Sequence, residues 1–304
     1  MKSFKGYFFI LGAALFWGVS ATIAKFLFNN QTDPLTLVQL RMTFSCIILL
    51  IIFLIYKPEV LKIKLADAPK FALLGIVGLA GSNYTYYFTI KEINVATAIL
   101  LQYLAPLIVL GYAAVRKAEE LTKQKVIAAG VSLLGCFLAV GGASFSLEGM
   151  STKGLLLGFA AAGCWAFTNI SLPPLVRKYG IWTSLLYAFI FASLFWMIIN
   201  PPTRLIEAHY TPQMWLSFLG FAIISILIPH SCYFKGISYL TATQAIITAT
   251  FEPIVAIGSA YVMLHEILSP IQLVGAVLVI IAIMILQIKK EDKSSIRATV
   301  TETP

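Results

Sequence analysis

The sequence predicts an all-α integral membrane protein with ten transmembrane helices arranged as two inverted five-helix repeats. Three observations predict it: the composition, the number of long apolar runs, and a repeat shared by the two halves. Hydrophobic residues make up 59%, charged residues only 12%, and the mean hydropathy is +0.88. Soluble domains are roughly half apolar and a quarter charged, so a water-soluble fold could not hide this much apolar surface. A hydrocarbon core of about 30 Å takes about 20 apolar helical residues per crossing. The 304 residues hold ten such stretches, which leaves short connections and no soluble domain.

In order, the spans run from Tyr7 to Phe28, Leu35 to Tyr56, Phe71 to Ile90, Ala96 to Val115 and Val126 to Gly142. The second five run from Gly154 to Val176, Ile181 to Ile199, Met214 to Phe234, Thr241 to Leu264 and Ile271 to Ile288. Lys2 and Lys5 before an apolar run resemble a signal peptide, but the run exceeds a usual signal core and nine more follow, so it reads as a retained first helix. The domain reading is a first repeat over 1–145, a second over 150–290, and a polar, disordered tail over 291–304.

The net charge of +9 would suggest nucleic acid in a soluble protein, but the basic residues fall in connections between apolar runs. Membrane orientation accounts for them without a nucleic-acid partner. With the amino terminus inside, the cytoplasmic side receives Lys2, Lys5, Lys57, Lys62, Lys64, Lys70, Arg116, Lys117, Lys123, Lys125, Arg177, Lys178, Lys235, Lys289, Lys290, Lys293 and Arg297. The outer side receives Lys91, Lys153 and Arg204. This bias fits a multi-pass protein of the cell (plasma or inner) membrane with both termini cytoplasmic, and an odd number of spans would destroy it.

The repeat appears at a constant offset of 147, pairing Ala98 with Ala245, Pro106 with Pro253, Gly111 with Gly258, Ala113 with Ala260, Val115 with Val262, Glu119 with Glu266 and Leu121 with Leu268. Trp17 and Trp165 correspond at nearly the same offset, each in the first helix of its half. Shared small residues could arise by chance between apolar helices, but a Pro, a Glu and a Trp in order could not easily do so. Because each unit has five helices, the second must enter the membrane the other way up. Inverted repeats are a transporter architecture, with the substrate at the repeat interface near the midplane.

These residues resemble the drug/metabolite transporter superfamily, specifically its EamA-type members. The resemblance rests on Leu15-Phe16-Trp17-Gly18 in the first helix, Arg41 early in the second, and Phe251-Glu252-Pro253 through Glu266-Ile267-Leu268-Ser269 to Gly275-Ala276. Ala105-Pro106 to Glu119-Glu120-Leu121-Thr122 is the first-half counterpart of that last stretch. The resemblance covers almost the whole chain. It implies a secondary transporter that moves, by export or exchange, a small metabolite such as an amino acid, with multidrug or cationic-amphiphile efflux as the alternative.

Several residues are candidates for the substrate site. Glu252 lies mid-span beside Pro253, where a carboxylate costs about 2.5–3.5 kcal/mol on insertion scales. Ala105 takes the matching place in the first half, so packing alone does not call for an acid there. Glu252 either walls a cavity or bonds groups freed by the proline kink. Trp17 and Trp165, with Tyr86, Tyr87 and Tyr103, offer rigid amphipathic surfaces that either line that cavity or pack between helices. Asn83, Gln102, Thr168, Asn169, His230 and Gln244 should face protein or water, as interhelical hydrogen bonds or as ligand contacts. The pocket these outline comprises Trp17, Asn83, Tyr87, Gln102, Tyr103, Trp165, Asn169, His230 and Glu252.

Other features read as structural. Lys25 and Arg41 sit near the outer ends of the first two spans, where snorkelling or pairing with Asp33 is expected. The alternative for them is an electropositive vestibule for carboxylate-bearing substrates. Thr122 and Ser269 can cap the fifth and tenth helices, with Pro270 at the first helical position. Gly154 and Gly158 form a GxxxG that would suit a homodimer as well as close packing within the bundle. Cys46, Cys136, Cys164 and Cys232 lie within the spans without metal-ligand spacing and read as packing residues. No HExxH, P-loop or nucleophile elbow is present, and Asp33, Asp67 and Asp292 lie outside the spans. The reading is therefore not an enzyme and calls for no cofactor or metal. The partners expected are a small-molecule substrate and the lipid bilayer.

Overall fold

The computed structural model describes residues 2–29, 33–93, 95–140, 151–264 and 269–288; the expected disordered tail, His265 and Glu266 lie outside these. Two long rods, α1 (Lys2–Asn29) and α2 (Pro34–Tyr56), open the chain. The third crossing starts as α3 (Ala68–Leu73), passes through a π-helical stretch (Leu74–Gly81) and ends as α4 (Ser82–Glu92). The fourth is broken into α5 (Val95–Gln102) and α6 (Ala105–Arg116), and α7 (Lys123–Ala139) follows. In the second half come α8 (Thr152–Tyr179), α9 (Ile181–Ile199) and a short α10 (Pro202–Glu207) that the sequence reading did not foresee. The eighth crossing comprises α11 (Pro212–Ala222), a second π stretch (Ile223–Leu227) and α12 (Ile228–Ile237). The ninth is broken into α13 (Ala242–Ala249) and α14 (Glu252–Leu264), and α15 (Pro270–Gln287) is the tenth. Among the described residues, nine crossings meet an 18-residue apolar criterion, and α7, at 17 residues, completes the ten.

The halves run in opposite senses. Tyr7 near the start of α1 donates to the Leu286 carbonyl at the end of α15 (3.1 Å). On that same lysine-rich face α8 ends, with Lys178 and Tyr179 both bonded to Asp67 at 2.5 Å. At the opposite face α8 begins, with Lys153 Nζ 2.6 Å from the Glu92 carboxylate that ends α4. Thus α8 is antiparallel to α1. Packing follows the same pseudo-symmetry: α1 lies on α12 and α14, α8 lies on α4, α5 and α6, α2 meets α9, and α7 meets α15.

Both broken crossings break at the same register. Pro106 and Pro253 lack an N–H, so the preceding helix cannot continue through them. In the first break Leu104 N bonds Leu101 O (3.1 Å), and Leu107 N and Ile108 N share Leu104 O (3.0 and 3.3 Å). In the second, Phe251 N bonds Thr248 O, and Ile254 N and Val255 N share Phe251 O, all at 3.2 Å. These pairs correspond at the repeat offset. Irregular backbone is tolerated at membrane depth only where protein or a water-filled cavity surrounds it. Accordingly, Ala105, Ala249 and Thr250 are buried. The two π stretches also occupy equivalent crossings, and the second precedes Pro229, whose missing N–H leaves the Ser225 carbonyl free of its usual partner.

Glycines set how closely the helices approach. A Cβ on Gly275 would lie 2.3 Å from Ala139 N and 2.6 Å from Gly135 O, so α7 and α15 meet backbone to backbone. Gly154 and Gly158 are used inside the chain: a Cβ there would meet Ile93 Cγ2 at 2.7 Å and Leu101 Cδ1 at 2.3 Å. The two glycines of the GxxxG thus serve close packing within the chain, Gly154 against the end of the third crossing and Gly158 against α5. Caps fall where the sequence placed them, Thr122 Oγ1 accepting from Lys125 N and Ser269 Oγ from Gln272 N, both at 3.3 Å.

On the lysine-rich face, Glu119 joins the halves. Its carboxylate is 2.7 Å from Lys125 Nζ and accepts from Thr243 N (3.1 Å) and Thr243 Oγ1 (2.8 Å) in the first turn of α13. Burial opposes its ionisation, but the bonds from Lys125, Thr241 and Thr243 outweigh it and hold the carboxyl below the usual carboxylate range. A lowered folded-state value contributes stability above the unfolded value and loses it as pH falls through the folded one. Glu119→Gln should therefore lower the detergent-micelle melting temperature at neutral pH, with the gap to wild type closing as pH falls below the ordinary carboxylate range. An unchanged gap in acid would show that the charge does not hold the tie. Gly275→Ala should cost about 1–3 kcal/mol, since the contacting atoms are backbone and cannot swing away. Thermal unfolding of the purified variant measures this.

Candidate substrate site

The site forms where the first helix of each half meets the broken crossing of the other. Gly18 lets α1 lie on α14: a Cβ there would come 2.7 Å from Glu252 O. The contact is fixed by Thr22 Oγ1 and Ser259 Oγ at 2.6 Å.

Trp17 and Trp165 point inward and meet edge to face, with ring centroids 5.8 Å apart. Tyr233 packs against both, at 5.3 Å from Trp17 and 5.4 Å from Trp165. His230 stands edge-on to Trp17 at 5.2 Å and also touches Phe189. Its Nδ1 lies 3.0 Å from Ile226 O, a carbonyl of the second π stretch. Asn169 is bonded at both ends of its amide: the NH2 donates to Trp165 O (2.8 Å) and the carbonyl accepts from the Tyr233 hydroxyl. Asn169 therefore fixes the aromatic cage from behind. Tyr233, absent from the sequence-predicted pocket, is a full member of it. Its signal was the helical spacing from His230, which places the two on one face.

Beside the cage lies a polar half. Arg41 Nη2 donates to Asn83 Oδ1 at 2.7 Å, and the Asn83 amide donates to Leu79 O at 2.8 Å. Glu252 lies beside Tyr103 of the other break and within electrostatic reach of Arg41. Tyr86 lies within electrostatic reach of both charges. Gln102 donates to Ser82 Oγ at 3.2 Å. Arg41, Asn83, Tyr86, Gln102, Tyr103 and Glu252 are only half-buried despite lying within the spans.

Three sequence expectations shift here. Arg41 neither snorkels nor pairs with Asp33, whose carboxylate instead caps α2 at Thr36 N (3.0 Å); the side chain of Lys25 lies outside the described ones. Tyr86, not Tyr87, joins the polar half, because one residue turns a helix face by about 100°; Tyr87 packs on Phe88 and senses Asp33. Gln244 belongs to a capping box with Thr241 and donates to Tyr7 at the lysine-rich face. A separate cavity of about 300 Å³ lies there, lined by Glu120, Thr122, Gln124, Lys125, Thr241 and Gln244. None of the predicted pocket residues lines it, and it lacks the aromatic surface of the centre.

Comparison with known proteins agrees with this architecture. The model of the EamA-like transporter family matches residues 4–141 and again 152–288. The chain belongs to the EamA-like transporter family. As an EamA-like protein it is a multi-pass membrane transporter whose partners are a small molecule and the bilayer. It is similar to the uncharacterized inner membrane transporter YicL of Salmonella typhimurium, 26% identical over 82% of this chain and 84% of that one. It is also similar to the threonine/homoserine exporter RhtA of Escherichia coli, 28% identical over 90% of this chain and 88% of that one. A crystal structure superposes with a TM-score of 0.74 at 18% identity, covering 98% of this EamA-like chain and 99% of the other, and so shares its fold.

The cage depends on the Tyr233–Asn169 bond. Tyr233→Phe keeps the ring but leaves a buried carbonyl unpaired, at a cost of about 1–3 kcal/mol. The expected result is a lower melting temperature together with a red shift of tryptophan emission as Trp17 and Trp165 loosen. Unchanged emission would mean the ring packing alone holds the cage.

Proposed function

We propose that this EamA-like protein is a secondary transporter that exports a small metabolite, an amino acid foremost, by alternating access of its two inverted halves. The observation that carries the reading is the meeting of the two broken crossings, which brings Tyr103 of one beside Glu252 of the other, with Trp17 and Trp165 in edge-to-face contact where the two halves meet. A polar and charged surface at this depth is costly unless a substrate or water uses it. Transporters of inverted-repeat build place the substrate at such discontinuous helices. Similarity to RhtA, a threonine/homoserine exporter, supports amino acids. In this reading the halves run over 1–145 and 150–290, the protein sits in the plasma or inner membrane, and both termini are cytoplasmic, as the basic residues of the lysine-rich face suggest.

The aromatic cage favours one second reading. Trp17, Trp165 and Tyr233 with a nearby carboxylate would also suit a cationic amphiphile. Selectivity separates the two. Counterflow in sealed proteoliposomes, screened with labelled α-amino acids and with ethidium, measures it directly. Trp17→Ala should lower flux of the true substrate about tenfold or more while leaving expression unchanged, since aromatic contacts are worth about 0.5–1.5 kcal/mol beyond the area they bury. Glu252→Gln keeps size and hydrogen bonding, and is expected to abolish pH-gradient-driven flux. Wild-type rates at every pH in that variant would assign Glu252 to structure alone.

A further inference from the structure

Arg41 and Glu252 are opposite charges within the spans, close enough to interact electrostatically, yet they form no ion pair. Arg41 is held instead by a neutral partner, Asn83, and Glu252 has the neutral Tyr103 as its neighbour. Arg41 Nε, moreover, is buried without any hydrogen-bond partner. A guanidinium has five donors and no acceptor, and an unmet one in a low-dielectric interior is costly. Opposite charges within a membrane interior ordinarily collapse into a pair, because mutual attraction is what offsets their desolvation. Here Asn83, itself tied to Leu79 O, holds Arg41 in place, and Tyr103 stands beside the acid. Tyr86 and His230, the other titratable groups near Arg41, bring no negative charge to satisfy it in their ordinary forms.

From this geometry we infer that the transported molecule carries a carboxylate and an ammonium on one small skeleton, and that Arg41 determines specificity by taking the carboxylate through its free Nε–H edge. Glu252 takes the ammonium. The remainder of the molecule lies against Trp17 and Trp165. A zwitterion would bridge the two charges that the protein keeps apart, with a planar guanidinium suited to bidentate capture of a carboxylate. A cationic amphiphile would leave Arg41 unmet and bring a like charge beside it. This rests on the reading of the centre as the transport site.

The test uses the full-length protein in proteoliposomes, assayed by counterflow of labelled proteinogenic α-amino acids. For the best-transported one, competition is measured with its methyl ester, which lacks the carboxylate charge, and with its deaminated analogue. Both should compete about ten- to hundredfold more weakly than the parent, the range expected for losing hydrogen bonds to a charged group. Arg41→Lys keeps the charge but loses the fork, and should weaken the parent amino acid while leaving the ester unchanged. If the Arg41 variants fail to fold, the ester comparison on wild type decides alone. An ester that competes as well as the free acid overturns the inference and leaves the transporter reading intact. Trp17-dependent flux of ethidium with no amino-acid flux does the same. Absence of any Trp17-dependent flux overturns both.

Discussion

A membrane interior does not forgive a broken helix, and this protein breaks two at matched depth. Each proline removes one backbone bond, and the residues before it turn with tighter i to i+3 bonds in both copies. Such backbone has to be buried in protein or line a cavity, never face lipid. From that constraint follow the central position of both broken crossings and their mutual contact. The first helix of each half then covers the broken crossing of the other.

Close approach is what makes the covering possible. Gly18 brings α1 onto the backbone of Glu252, and Gly158 makes room for Leu101 of α5. The same two helices carry Trp17 and Trp165, so the glycines that let α1 and α8 approach also bring the indoles into contact. Packing and site are therefore one arrangement. Rigid pairing of α7 with α15 through Gly135 and Gly275 lies apart from the cage, as support for the bundle.

The charges within the spans show how neutral neighbours can keep opposite charges apart. Asn83 bonds Arg41 and Tyr103 neighbours Glu252, and both sit beside a π stretch or a proline break. On the lysine-rich face the opposite solution applies, where Glu119 pairs directly with Lys125 and also accepts from the first turn of α13. Paired charges lie on that face. Unpaired ones mark the centre.

Much of this was legible in the residues. Apolar runs long enough to cross a bilayer fixed the number of crossings, and the shared Pro106 and Pro253 revealed the repeat, whose odd helix count made it inverted. Trp17, Trp165, His230 and Glu252 stood out because polar or amphipathic groups at mid-span are costly unless they face inward. Which of Tyr86 and Tyr87 faces inward was not legible, since an almost wholly apolar helix offers little amphipathic signal to orient it. For the same reason Arg41 looked like a snorkelling residue, and only the packing of α2 against its neighbours turned it toward Asn83. The π stretches and Tyr233's place in the cage likewise depend on contacts between residues far apart in the chain. Sequence by itself determined the crossings, the repeat and the kinds of residue placed in the membrane interior, because those follow from length and hydrophobicity alone. Which side chains meet was decided by the tertiary structure, because helix rotation in a bilayer is set by close packing between neighbours and not by the contrast between oil and water.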